Sequence, residues 1–168
     1  MNDPSCQFLH SVQRRVGLGL SLSSLLFLPQ PVRAENEKEV IQLVVSGYYD
    51  ALGRDLTEAA SFYGEPAMIV LPTDVLALNK RADVEAFLTK LVSGFKPLGF
   101  SHAKVSDPRI KMLSETTAIY STVAIRYKTD GSELLPRGGF TYLLHKGPSG
   151  WKIHELIATD MDKLVRAD

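Results

Sequence analysis

The strongest constraint on this chain is a change of hydrophobic period near Phe100. Ahead of it, apolar residues recur at helical spacing. Behind it they alternate, in segments rich in Thr, Val, Ile and Tyr, and the breakers Gly94, Pro97 and Gly99 separate the two regimes. "FSHAKVSDPRIKML", "TTAIYSTVAIRYKTDG", "GGFTYLLHK" and "WKIHELIATD" read as four strands. Asp130-Gly131 and "KGPSG" are turn signals, so the last three strands predict an antiparallel meander. Helices followed by strands in this order predict an α+β fold, with helices on one face of an antiparallel sheet.

The helical half divides into three. In "ENEKEVIQLVVSGYYDALG", Val40, Val44, Tyr48 and Leu52 recur at i+4, and Ile41 and Val45 widen the stripe. Asn36 followed by Glu39 resembles a capping box, and Gly53 is a C-terminal stop. "DLTEAASFYG" predicts a short helix capped by Asp55 and ended by Gly64 and Pro66. "AMIVLP" predicts one short strand. "RADVEAFLTKLVSGF" predicts the third helix, with Val84, Phe87, Leu88 and Leu91 on one face.

Composition narrows the class. The chain has 168 residues, 19 basic and 19 acidic, with a pI near 6.9. A balanced charge excludes the basic excess of a nucleic-acid binder, so no nucleic-acid partner is expected. The N-terminus has Arg14-Arg15, then the short apolar run "VGLGLSLSSLLFLP", then "QPVRA" with Val32 and Ala34 at small-residue positions. Those are the parts of a secretory signal peptide over residues 1–34, cleaved after Ala34. The run is too short to cross a bilayer, so no membrane span is expected after cleavage. A buried N-terminal helix is the alternative reading. Arg14-Arg15 matches a twin-arginine signal only loosely, so the export route stays open. Cleavage removes three arginines, Asp3 and the only cysteine, Cys6, leaving a formal charge of −2 and no disulfide. A periplasmic or secreted protein of this kind relies on its core alone.

The ordered set "YYDALGRDLTEAASFYGEPAMIV", "RADVEAFLTKL" and "YKTDGSELLPRGGFTYLLHKGPSGWKIHELIATD" resembles the nuclear transport factor 2-like superfamily, in particular its SnoaL-like branch, over residues 36–160. The resemblance implies a single domain over residues 35–168. Its fold would be a cone-like curved antiparallel sheet wrapped on three N-terminal helices, with a pocket at the open end. It also implies frequent homodimers through the outer sheet face. Function does not follow from it, because the superfamily holds isomerases, cyclases, dehydratases and non-catalytic binding modules.

Candidate chemistry is sparse. Similarity to the ketosteroid isomerases places their oxyanion-donating tyrosine at Tyr48. Their general base falls at Leu71, which cannot move a proton, and their second acid falls near Gly138-Gly139, where there is none. In "WKIHELIATD" a period of two sets Trp151, Ile153, Glu155 and Ile157 on one face, and Lys152, His154, Leu156 and Ala158 on the other. His154 is thus a candidate proton-transfer group in the pocket or a residue of the sheet face. His102 reads as rim, His145 as solvated, Arg137 as rim and Asp160 as a solvated strand end. Arg126, among apolar neighbours, could hold a carboxylate bidentately. Gly138-Gly139 reads as a bulge or bend.

No His or acid pair falls at metal-ligand spacing, and no phosphate-cradling glycine loop appears, so neither metal nor cofactor is expected. The expected ligand-binding set is Tyr48, Tyr49, Phe62, Tyr63, Phe87, Arg126, Tyr142 and His154, with Tyr48 and His154 as catalytic candidates. Three readings follow: a binding module for a small apolar or amphipathic ligand, a small isomerase, dehydratase or cyclase using a pocket His and Tyr, and a dimeric accessory protein acting through its sheet.

Overall fold

The computed structural model describes residues 30–165. The expected leader, residues 1–34, lies outside this range except for 30–34, which continue a helix. Three α-helices, α1 (Gln30–Leu52), α2 (Leu56–Ser61) and α3 (Arg81–Phe95), accompany six strands. The strands are β1 (Tyr63–Leu71), β2 (Asp74–Leu78), β3 (Phe100–Met112), β4 (Thr117–Lys128), β5 (Glu133–Gly147) and β6 (Gly150–Thr159).

The first and third helices bury faces close to those their spacing predicts. In α1 the buried residues are Ile41, Val45, Tyr48, Tyr49, Ala51 and Leu52, so the stripe runs through Ile41 and leaves Val40 exposed. The helix runs unbroken through Asn36, which is therefore inside it and caps nothing. Asp55 does cap α2: its carboxylate accepts from Thr57 N and Glu58 N, both at 3.0 Å. Asp83 accepts from Asn79 N and Lys80 N at the start of α3, whose residues Val84, Leu88 and Val92 are buried.

The six strands form one curved, open sheet in the order β2-β1-β6-β5-β4-β3. The β3 to β6 meander is antiparallel throughout. Two features depart from the sequence reading. "DVLAL" forms β2, an antiparallel partner for β1 that no sequence signal points to. And β1 joins β6 in parallel, so the sheet is not purely antiparallel.

Irregularities bend the sheet at three places that matter for the site. In β6, Ile153 pairs with Leu144 and Glu155 with Leu143, so His154 is an extra residue. This bulge shifts the alternation by one: Trp151, Ile153 and then Leu156 are buried, and the expected two-face assignment fails beyond Ile153. Facing it, β1 advances from Tyr63 to Met68 while β6 advances only from Ile153 to Glu155. In β5, Arg126 of β4 pairs with Leu134 and Ala124 with Gly138, so the chain bulges at Leu135, Pro136 and Arg137, just ahead of Gly138-Gly139.

Candidate ligand-binding site

A pocket opens between α1, α3 and the inner face of the sheet. Its wall is Tyr48, Tyr49 and Leu52 from α1, Leu71 from β1, Phe87, Leu91 and Phe95 from α3, and Phe100, Ala103, Ala124, Arg126, Phe140 and Leu156 from β3 to β6. Its free volume is about 50 Å³. That is room for roughly three to five waters.

Of the expected ligand-binding set, Tyr48, Tyr49, Phe87 and Arg126 line this wall. The other four do not. Tyr63 and Tyr142 stand behind Tyr48 and Tyr49 in the core, with Tyr48–Tyr63 centroids 5.4 Å apart at 85°. The Tyr49 and Tyr142 hydroxyls are hydrogen-bonded at 2.6 Å. Phe62 is half-buried against Gly47 of α1. His154 lies on the opposite side of β6 from Ile153, packed over Gly64. A Cβ at Gly64 would stand 2.2 Å from His154 Nε2, so the ring takes the space a side chain there would need. Its Nδ1 is 2.9 Å from Pro66 O, and its ring meets exposed His145 edge-on at 5.9 Å. The His154–Tyr48 pairing inside one pocket, expected as catalytic machinery, is not formed.

The remaining candidates are also placed. His102 stacks on Tyr127 at 4.9 Å, and Tyr127 faces away from Arg126, its neighbour in β4. Arg137 is exposed and makes a two-pronged ion pair with Glu133, at 2.9 and 2.8 Å. Asp160 is exposed just past β6. Among the described residues no three His, Cys, Asp or Glu cluster as metal ligands.

The wall holds only three groups that carry or could carry charge. Burial pushes the Tyr48 phenol up to about 12 and the Tyr49 phenol higher still. Both are neutral donors near pH 7 and cannot serve as bases. The third is Arg126, whose Nη1 donates to Pro136 O at 3.1 Å and whose guanidinium lies 4.6 Å over the Phe95 ring. The β5 bulge brings that carbonyl within reach. Leu71, opposite, supplies only carbon. The aliphatic wall residues were not singled out from sequence, since an apolar side chain in a pocket and one in a core carry the same signal. The alternation in β6 puts Leu156 on the same face as His154; the β6 bulge separates them, and Leu156 alone reaches the wall.

A curved sheet folded over three helices, with an apolar pocket at one end, defines the NTF2-like class. The chain belongs to the family described as NTF2-like protein (DUF6841), whose profile matches residues 38–161. No curated protein matches it. Among solved structures, an NTF2-like protein with a cystatin-like fold from Novosphingobium aromaticivorans is 13% identical, with a TM-score of 0.67 over 84% of this chain and 93% of that one. An NTF2-like protein of unknown function from Shewanella oneidensis MR-1 is 24% identical, with a TM-score of 0.60 over 73% and 98%. A candidate dehydratase of the NTF2-like family from Streptomyces avermitilis is 17% identical, with a TM-score of 0.56 over 74% and 95%. At these identities the likeness is one of fold.

Proposed function

We propose that this is an exported, non-catalytic NTF2-like protein that holds a small amphipathic ligand in the pocket between α1, α3 and the sheet. One observation carries the reading: the pocket wall contains no Asp, Glu, His or Lys, and its two tyrosines are held protonated. A proton-transfer enzyme needs a base within reach of its substrate, and here that position is Leu71. The isomerase or dehydratase reading has less support, because its candidate base, His154, is engaged with Pro66 on the other side of the strand.

A specific observation favours a homodimer as well. Ile119 and Leu143 pair across β4 and β5 on the outer face, and with Val123 and Ile157 they are only half-buried. Such a row suits a second copy better than water. Among the described residues no helix is long and apolar enough to cross a membrane.

Native mass spectrometry of protein purified from a periplasmic fraction tests the proposal. The expected species is a dimer starting at Glu35 that releases a small molecule on activation. A ligand-free protein retaining Met1 would overturn both the binding and the export readings.

A further inference from the structure

We propose that the ligand is a small carboxylic acid, its carboxylate held by Arg126 and its apolar part lodged among Phe87, Leu91, Phe95 and Phe140. The proposal rests on the binding reading above and names the chemical class of the ligand.

Arg126 is the only formally charged residue of the wall. It is half-buried, and no Asp or Glu of the described residues lies within ion-pair distance of it. One of its five N–H donors is used, on Pro136 O; no other acceptor among the described residues takes the rest. A guanidinium taken partly out of water without a counter-ion is costly unless something anionic completes it. Among the described residues nothing anionic completes it, and a bound carboxylate would.

The surroundings select against the other ligand classes. A cationic ligand would meet Arg126 with no acid on the wall to offset the repulsion. A neutral ligand would leave the guanidinium unpaired. The planar fork matches a carboxylate in two parallel hydrogen bonds. Phe95 fixes the plane of the fork from one side. Gly138 keeps the other flank clear, since a Cβ there would stand 3.3 Å from Arg126 Nη2 and 2.7 Å from the Phe140 ring. Neither phenol of the wall carries a negative charge near pH 7, so nothing on the wall repels an anion beside Arg126. The free volume, about 50 Å³, is small, so only a compact apolar group can lodge there, with the rest of the ligand toward the mouth.

The test pairs acids with neutral counterparts: benzoate against benzyl alcohol, and hexanoate against 1-hexanol, titrated at fixed pH and ionic strength. Binding is read by calorimetry and by the methyl shifts of Leu91 and Leu156. Each acid is expected to bind at least tenfold tighter than its alcohol, as a charge-assisted contact implies. In Arg126→Gln the acids should fall to the affinity of the alcohols, which themselves change less than twofold; Arg126→Lys should keep part of the difference. Alcohol binding also shows that the variant is folded. Equal affinity of acids and alcohols for the wild type, or an acid preference that survives Arg126→Gln, would overturn the carboxylate proposal and leave the pocket reading standing. No methyl shift with any of the four at millimolar concentration would remove both.

Discussion

Tyr49 and Tyr142 share one hydrogen bond in the core, whereas the buried hydroxyls of Tyr63 and Tyr120 have no partner of proper geometry among the described residues. The difference predicts opposite responses to the same substitution. Tyr49→Phe strands the Tyr142 hydroxyl and should lower stability by about 1–3 kcal/mol, while Tyr63→Phe should be neutral or stabilising by up to about 1 kcal/mol. Urea unfolding of the two variants checks this. A Tyr49→Phe/Tyr142→Phe double variant should recover part of the loss. Tyr48, Tyr49, Tyr63 and Tyr142 stand out in the sequence as aromatic residues on apolar faces. The sequence does not say which hydroxyl opens to a pocket and which turns inward, because that depends on rings that meet only after folding. Tyr120 carries no separate signal in "TTAIYSTVAIRYK".

The local elements were readable where one residue type has one mechanical use. Asp55 is such a case: a short acid before an apolar stretch can satisfy helix N–H groups, and it does. Asp55→Ala should therefore cost about 1 kcal/mol, seen as a lower urea midpoint with an unchanged slope. Asn36 failed the same logic because α1 begins further upstream. Bulges are the harder case. Nothing in "WKIHELIATD" marks His154 as supernumerary; the extra residue is set by how β1 and β5 pair on either side. That arrangement depends on Gly64 leaving space for the imidazole. Gly64→Ala should destabilise by about 1–3 kcal/mol through overpacking. Gly64→Ala/His154→Ala should regain most of the loss, and strictly additive losses in the two single variants would count against the close packing.

At the scale of the whole molecule the tyrosines act together. Burial raises the phenols of Tyr48, Tyr49, Tyr63, Tyr120 and Tyr142 above their ordinary value of 10.0, to about 12 for Tyr48 and Tyr120. In the unfolded chain they release protons near pH 10, while the native state retains them. The unfolded state thus binds fewer protons above pH 10, and stability falls as pH rises from there toward 12. A shift of two units corresponds to roughly 3 kcal/mol per phenol, all of it present below pH 10. Against a usual total of about 5–15 kcal/mol, the losses at Tyr48 and Tyr120, with further loss at the raised phenols of Tyr49, Tyr63 and Tyr142, should bring on cooperative unfolding before the native phenols ionise singly. Phenolate absorbance and far-ultraviolet circular dichroism should change in one step between pH 10 and 12; gradual ionisation ahead of the loss of dichroism would refute it. The fold class was legible because a change of period survives tertiary context. The parallel β1–β6 pair was not legible, because two strands far apart in the chain carry no mark of being neighbours.

That parallel pair also fixes an order of events. β6 lies between β1 and β5, so the β1–β2 hairpin is joined to the rest of the sheet only by a strand near the C-terminal end of the sequence. The β3–β5 meander can pair as it is synthesised. The hairpin must wait, its edge open, until residues 150–159 arrive and insert between the two halves. Closing so long a loop carries a large entropic cost before any contact offsets it. Assembly of this molecule is therefore a late zippering event, and a chain truncated after Gly147 would hold a half-built sheet with a competent but unpaired edge.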